Sequence, residues 1–97
     1  MKPSIGRIVH YRLAEHDVAC LDEQRKLRIE ARSFMRGNPV SVGETVPMII
    51  VVVWPDEYGA GIPGVNGQVL LDGNDSLWVT SVREGTEPGT WRWPERE

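Results

Sequence analysis

A period of two runs from Ile5 to Leu13, with Ile5, Arg7, Val9 and Tyr11 on one side and Gly6, Ile8, His10 and Arg12 on the other. That pattern predicts a first strand, and Pro3 is tolerated just ahead of one. From Ala14 to Arg36 the chain has no Gly or Pro and is rich in Ala, Leu, Glu, Arg, Lys and Gln, which favours a helix. Glu15-His16-Asp17 supplies acidic residues for its start, and Gly37-Asn38-Pro39 is a strong stop. Helical spacing gathers Cys20, Leu27, Ala31, Phe34 and Met35 on one side. The stripe is patchy, so the helix is expected to act as a lid or to pack against a second subunit.

The remainder has the character of strands. Val46 to Trp54 is almost wholly β-branched or apolar and predicts a central strand covered on both faces. Pro55 to Gly64 is rich in Gly and Pro and predicts a loop. Val65 to Leu71 and Leu77 to Val82 predict two strands joined by Asp72-Gly73-Asn74-Asp75, a hairpin-turn sequence. Thr90-Trp91-Arg92-Trp93-Pro94 adds a short edge strand closed by proline. The expected fold is α+β in one domain, residues 1–97: a small antiparallel β-barrel or strongly bent sheet. One long helix, about 14–36, is inserted between strands 1 and 2.

Composition narrows the function. Ninety-seven residues with 40% hydrophobic content build one modest core, and self-association is a common way for so small a domain to bury more surface. A homo-oligomer is therefore expected. The net charge of −3 argues against general nucleic-acid binding. The single cysteine, Cys20, rules out an internal disulfide or a thiolate zinc cluster and suits a reducing compartment. Its place on the apolar side of the helix predicts a buried, inert thiol. The longest apolar run, Met48 to Trp54, is of strand length, so no membrane span is expected. No apolar stretch follows Met1-Lys2-Pro3-Ser4, so secretion is not expected.

Little here resembles catalytic machinery. His10 and His16 lack metal-ligand spacing, and Gly-rich phosphate-binding patterns are absent, so no metal, cofactor or enzymatic activity is expected. A hydrolase would require His10 beside a carboxylate such as Asp72 or Asp75. Binding groups are more plentiful. Arg25, Arg28, Arg32 and Arg36 project from one helix edge, either as a solvated flank or as a row of phosphate-matching forks. Four of the seven aromatic residues are tryptophan. Trp54 and Trp78 sit in apolar strands and are expected in the core. Trp91 and Trp93 share a face at the chain's last strand, where they can cover a barrel end, contact another subunit or stack on a flat ligand. His10, Tyr11 and Arg12 form a third cluster, which is either a solvated strand end or part of a pocket.

The segments from Lys2 to Tyr11, Val65-Asn66-Gly67-Gln68-Val69, Asp72-Gly73-Asn74, Thr80-Ser81-Val82 and Pro88 to Glu95 occur in that order. Together they resemble a family of small phage and prophage proteins whose ends read close to KPSxGRxVHY and GTWHWPE. Arg92 stands where that family usually has histidine. The resemblance covers about two-thirds of the chain. It implies a protein of the host bacterial cytoplasm and, by class, a sponge that sequesters a nucleotide-derived immune messenger without cleaving it. The ligand would be a small anion, a cyclic nucleotide or an ADP-ribose derivative. Tyr11, Trp91 or Trp93 would stack on its base, and His10 with Arg7, Arg12 or the row Arg25, Arg28, Arg32 would hold phosphate. Asn66 and Ser81 would read base or ribose edges. The alternative is a protein-interaction module that grips a host or phage protein.

Overall fold

The structure is a computed structural model that describes residues 2–30, 37–55 and 64–95. In chain order it contains β1 (Ile8–Arg12), α1 (Glu15–Glu30), β2 (Thr45–Val53), β3 (Val65–Leu70), β4 (Ser76–Val82) and β5 (Trp91–Arg92). The strands form one antiparallel sheet in the order β4-β3-β2-β1-β5. The α+β class and the helix inserted between the first two strands are as expected. The strand β1 begins later than its pattern suggested, because a turn closed by Arg7 N donating to Ser4 O precedes it and Gly6 sits at φ +88°. The predicted helix beyond Glu30 and most of the predicted loop after Pro55 lie outside the described residues.

The sheet does not close into a barrel. Among the described residues its two ends meet only at an isolated bridge, Glu84 to Trp91, where Trp91 N donates to Arg83 O at 3.0 Å and Gly85 N donates to Trp91 O at 2.9 Å. A two-residue β5 is too short to offer β4 a ladder, so β4 keeps its outer edge.

Alternation explains the core. Val9 and Tyr11 of β1, Met48 and Ile50 of β2, Val65 and Val69 of β3, Leu77, Val79 and Val82 of β4 and Trp91 of β5 all turn to one side and are buried. Gly67 lets β3 approach β2 closely: a Cβ there would stand 2.6 Å from Met48 Cγ and 2.9 Å from Ile49 O. The other side is open. Ile8, Ile49, Gln68 and Trp78 lie in register across four strands, with Ile8 57% exposed. The expectation that the central strand is covered on both faces is therefore corrected. Only one helix is present among the described residues, and it does not reach this side of β2.

The helix α1 packs through Val18 and Leu21, not through the Cys20–Leu27 stripe; Cys20 is exposed and Leu27 is 56% exposed. Its start is fixed by Asp17, whose Oδ2 accepts Ala14 N at 2.8 Å. This is the carboxylate half of a capping box, and Ala14 has no side-chain oxygen to return the bond. The same oxygen accepts the Tyr11 hydroxyl at 2.5 Å.

Candidate functional site

Two fastenings set the position of the helix. At its N-terminal end Asp17 binds Tyr11 of β1. Further along, Arg25 donates from Nε to Asp75 Oδ2 at 2.7 Å and from Nη2 to Oδ1 at 3.3 Å, while its Nη1 donates to Asn38 O at 2.7 Å. Asp75 closes the β3–β4 turn, so α1 runs beside β4 in the opposite direction, from the Val82 end toward the Ser76 end. Between the two elements lies a cleft of about 340 Å³. The helix contributes His16, Asp17 and Cys20 to its walls, and β4 contributes every residue from Leu77 to Val82; Tyr11 and Gly89 close one end.

The strand wall has two local features. Trp78 is 62% exposed. Ser81 carries φ +53°, the one positive φ outside glycine among the described residues. It occupies a bulge in β4, where Val65 pairs with Val82 but Gly67 pairs with Val79. Asn66 fills that irregularity, its Oδ1 accepting Ser81 N at 2.9 Å and Trp54 Nε1 at 3.0 Å. On the helix wall, His16 Nε2 lies 3.3 Å from Asp17 Oδ1, and Gln24 Nε2 lies 3.8 Å from Cys20 Sγ. His16 and Cys20 share a helix face at i, i+4. Burial and the Asp17 carboxylate together hold the Tyr11 hydroxyl well above the ordinary phenol range, so it stays a hydrogen-bond donor.

The residues expected to hold an anionic ligand are distributed differently. Tyr11 is buried with its hydroxyl bound, and Trp91 is 1% exposed, so neither ring is open to a stacked base. Trp93 is half-buried, edge-to-face with Trp91 at 5.4 Å, and the Arg7 guanidinium lies 5.4 Å above its ring. Both contacts are structural in kind. The side chain of Arg12 ties two loops together, donating from Nε to Gly43 O at 3.1 Å and from Nη1 to Thr86 O. Arg25 is committed to Asp75, and Arg28 Nη1 donates to Asn74 Oδ1 at 3.0 Å. The helix edge thus docks onto the hairpin turn. Arg32 lies outside the described residues. His10 is half-buried opposite Pro47 and Arg92, with β2 and β3 between it and the turn that carries Asp72 and Asp75.

Of the described residues in the predicted set, only Tyr11 and Ser81 line the cleft; Asn66 braces it from behind. Reasoning from sequence missed His16, Cys20, Trp78 and Thr80. The spacing of His16 and Cys20 on one helix face was legible. What was not legible is that this face would look onto a strand edge instead of a core. Comparison of the chain with models of protein families, with curated proteins and with solved structures finds no match.

Proposed function

We propose that the protein is a binding module that performs no chemistry, and that its working site is the cleft between α1 and β4. The carrying observation is a cavity of ligand size, about 340 Å³, one of whose walls is a strand edge that no other strand pairs with among the described residues and that bears an exposed indole. Exposed aromatic surface beside unused backbone hydrogen-bonding groups is costly for a folded domain to keep and useful for recognition. The preferred partner class is protein, in line with the interaction-module alternative.

A second reading keeps the nucleotide-sponge class and moves its stacking residue. A flat base would lie on Trp78, with the Thr80 and Ser81 hydroxyls at its edge; the exposed indole in a cleft of this size favours it. Phosphate is the weaker half of that reading, because Arg12, Arg25 and Arg28 are already bound within the fold.

The test is titration of the full chain with cyclic nucleotides, ADP-ribose derivatives and short peptides, followed by tryptophan fluorescence and calorimetry. Binding should shift the emission of an exposed indole and weaken at least tenfold in Trp78→Ser. A ligand that binds Trp78→Ser and thiol-blocked Cys20 at full strength does not use the cleft, and that result overturns the assignment.

A further inference from the structure

Resting on the cleft as the binding site, we infer that its occupant is an extended peptide segment, neutral or basic in charge, that adds to β4 as a sixth strand under the cover of α1. The edge of β4 faces the cleft from Leu77 to Val82, and its regular part, Leu77 to Thr80 ahead of the bulge at Ser81, offers about 13 Å of strand. Among the described residues no other strand pairs with that edge, so along its regular part alternate residues present N–H and C=O groups outward. A peptide backbone is the chemistry that satisfies such a row as a set.

The side-chain walls fit the same occupant. In an added strand, alternate side chains point to opposite faces. One set would meet the helix face that carries His16 and Cys20 and continues to the exposed Leu27. The other would pass Trp78 and Thr80 on the open side of the sheet. Apolar residues at every second position suit both contacts. Charge selects further: among the described residues the cleft is lined by the Asp17 carboxylate and by no lysine or arginine, and Glu15 adds a second acid to the first helical turn. An acidic or phosphorylated segment finds no lysine or arginine there, and the one imidazole, His16, is turned to Asp17.

A second copy of this chain is a poor occupant. Its β4 is flanked by its own α1, and that helix is fastened at both ends by Tyr11–Asp17 and Arg25–Asp75. Pairing two β4 edges would require both helices to leave. Its β5 is two residues long and already bridged by Glu84 on its outer side.

The experiment pans a displayed library of random nonapeptides against the full chain and resynthesises the enriched sequences. Their affinities are measured by calorimetry with the backbone N-methylated one position at a time. Strand addition predicts losses of tenfold or more at alternate positions and little effect between them. It also predicts a tenfold or greater loss in Trp78→Ser, a variant checked for an unchanged melting curve, and slowed amide exchange along Leu77–Thr80. Peptides indifferent to N-methylation, or protection confined to other strands, overturn the inference. Failure of the library to enrich any peptide also overturns it. If no peptide binds but adenosine or ADP-ribose binds in a Trp78-dependent way, the occupant is wrong and the cleft stands. If neither binds, both readings fall. Concentration-dependent dimerisation abolished by Trp78→Ser would instead assign the edge to self-association.

Discussion

Trp91 and Trp78 are the same residue type on strands of the same sheet, yet one is sealed and the other stands in solvent. Trp91 faces the side toward which Tyr11, Val9 and Val82 turn, and Trp93 closes over it edge-to-face. Trp78 sits one register step away from Leu77 and Val79, so the pleat that buries them exposes it. Trp54 behaves similarly: 45% exposed, it uses its Nε1 to hold Asn66. Hydrophobicity alone assigns Trp54 and Trp78 wrongly. The expected core pair is the exposed pair, and of the pair expected to cover a barrel end, contact a subunit or stack on a ligand, Trp91 is sealed and Trp93 half-buried.

The largest effect that separates the two regions is on stability. Trp91→Ala should destabilise the fold by about 4 kcal/mol, the cost of an unfilled aromatic site in a core. Trp78→Ala should change it by about 0.5 kcal/mol or less, as exposed positions do. Urea melts of both variants decide this, and equal losses would break the contrast. Trp91→Phe should cost less than Trp91→Ala, because phenyl refills most of the site and the buried Trp91 Nε1 has no hydrogen-bond partner among the described residues.

The next effect concerns the helix wall of the cleft. Arg25→Ala removes the fork that joins α1 to the hairpin turn and leaves Asp75 buried without its cation. A loss of about 2 kcal/mol is expected, between the values for exposed and fully buried pairs. The destabilisation should be accompanied by faster amide exchange in α1, while β1 and β2 are unaffected below the unfolding transition. Uniform acceleration across the sheet would show that the helix is part of the core unit and no separate wall.

Much of this arrangement could be read from the chain. The hairpin at Asp72 to Asp75, the helix start at Glu15-His16-Asp17 and the alternation of Val9 and Tyr11 against His10 and Arg12 follow from local chemistry, and the structure keeps them. The sides of the helix could not be read, because Val18 and Leu21 are outnumbered by the more apolar-looking set Cys20, Leu27, Phe34 and Met35. What turns Val18 and Leu21 inward is tertiary: Asp17 must reach Tyr11 and Arg25 must reach Asp75, contacts 6 and 50 residues apart. The arginine row was visible as a row but not as a fastening, since its acceptors lie on the hairpin turn and at Asn38. Tyr11→Phe tests that reasoning at the other fastening. It removes one bond to the Asp17 carboxylate and leaves Ala14 N in place, so a loss of about 1.5 kcal/mol is expected in the same urea melts.

The smallest effect is the dependence on pH, and it too divides the regions. The Arg25 hydrogen bond, opposed by burial, holds the Asp75 carboxyl below the usual carboxylate range. Its folded pKa is therefore lower than its unfolded one, and the unfolded chain binds the proton more readily. The stability this group contributes is present in full above the unfolded value, about 4, and is lost as pH falls through the folded value. The loss should be smaller than the 2 kcal/mol or so expected for deleting Arg25. Asp75→Asn should remove this component from an acid titration of stability and leave the remaining slope unchanged. Arg25→Ala should flatten most of the same window, because only a backbone hydrogen bond and the Arg28 charge then favour the ionised carboxylate, against burial. If amide exchange at pH 3 loosens α1 in the parent chain but not β1 and β2, acid opens the cleft wall before it reaches the core that holds Trp91. If all three loosen together, the wall and the core are one cooperative unit, and the exposed and buried tryptophans differ in position alone.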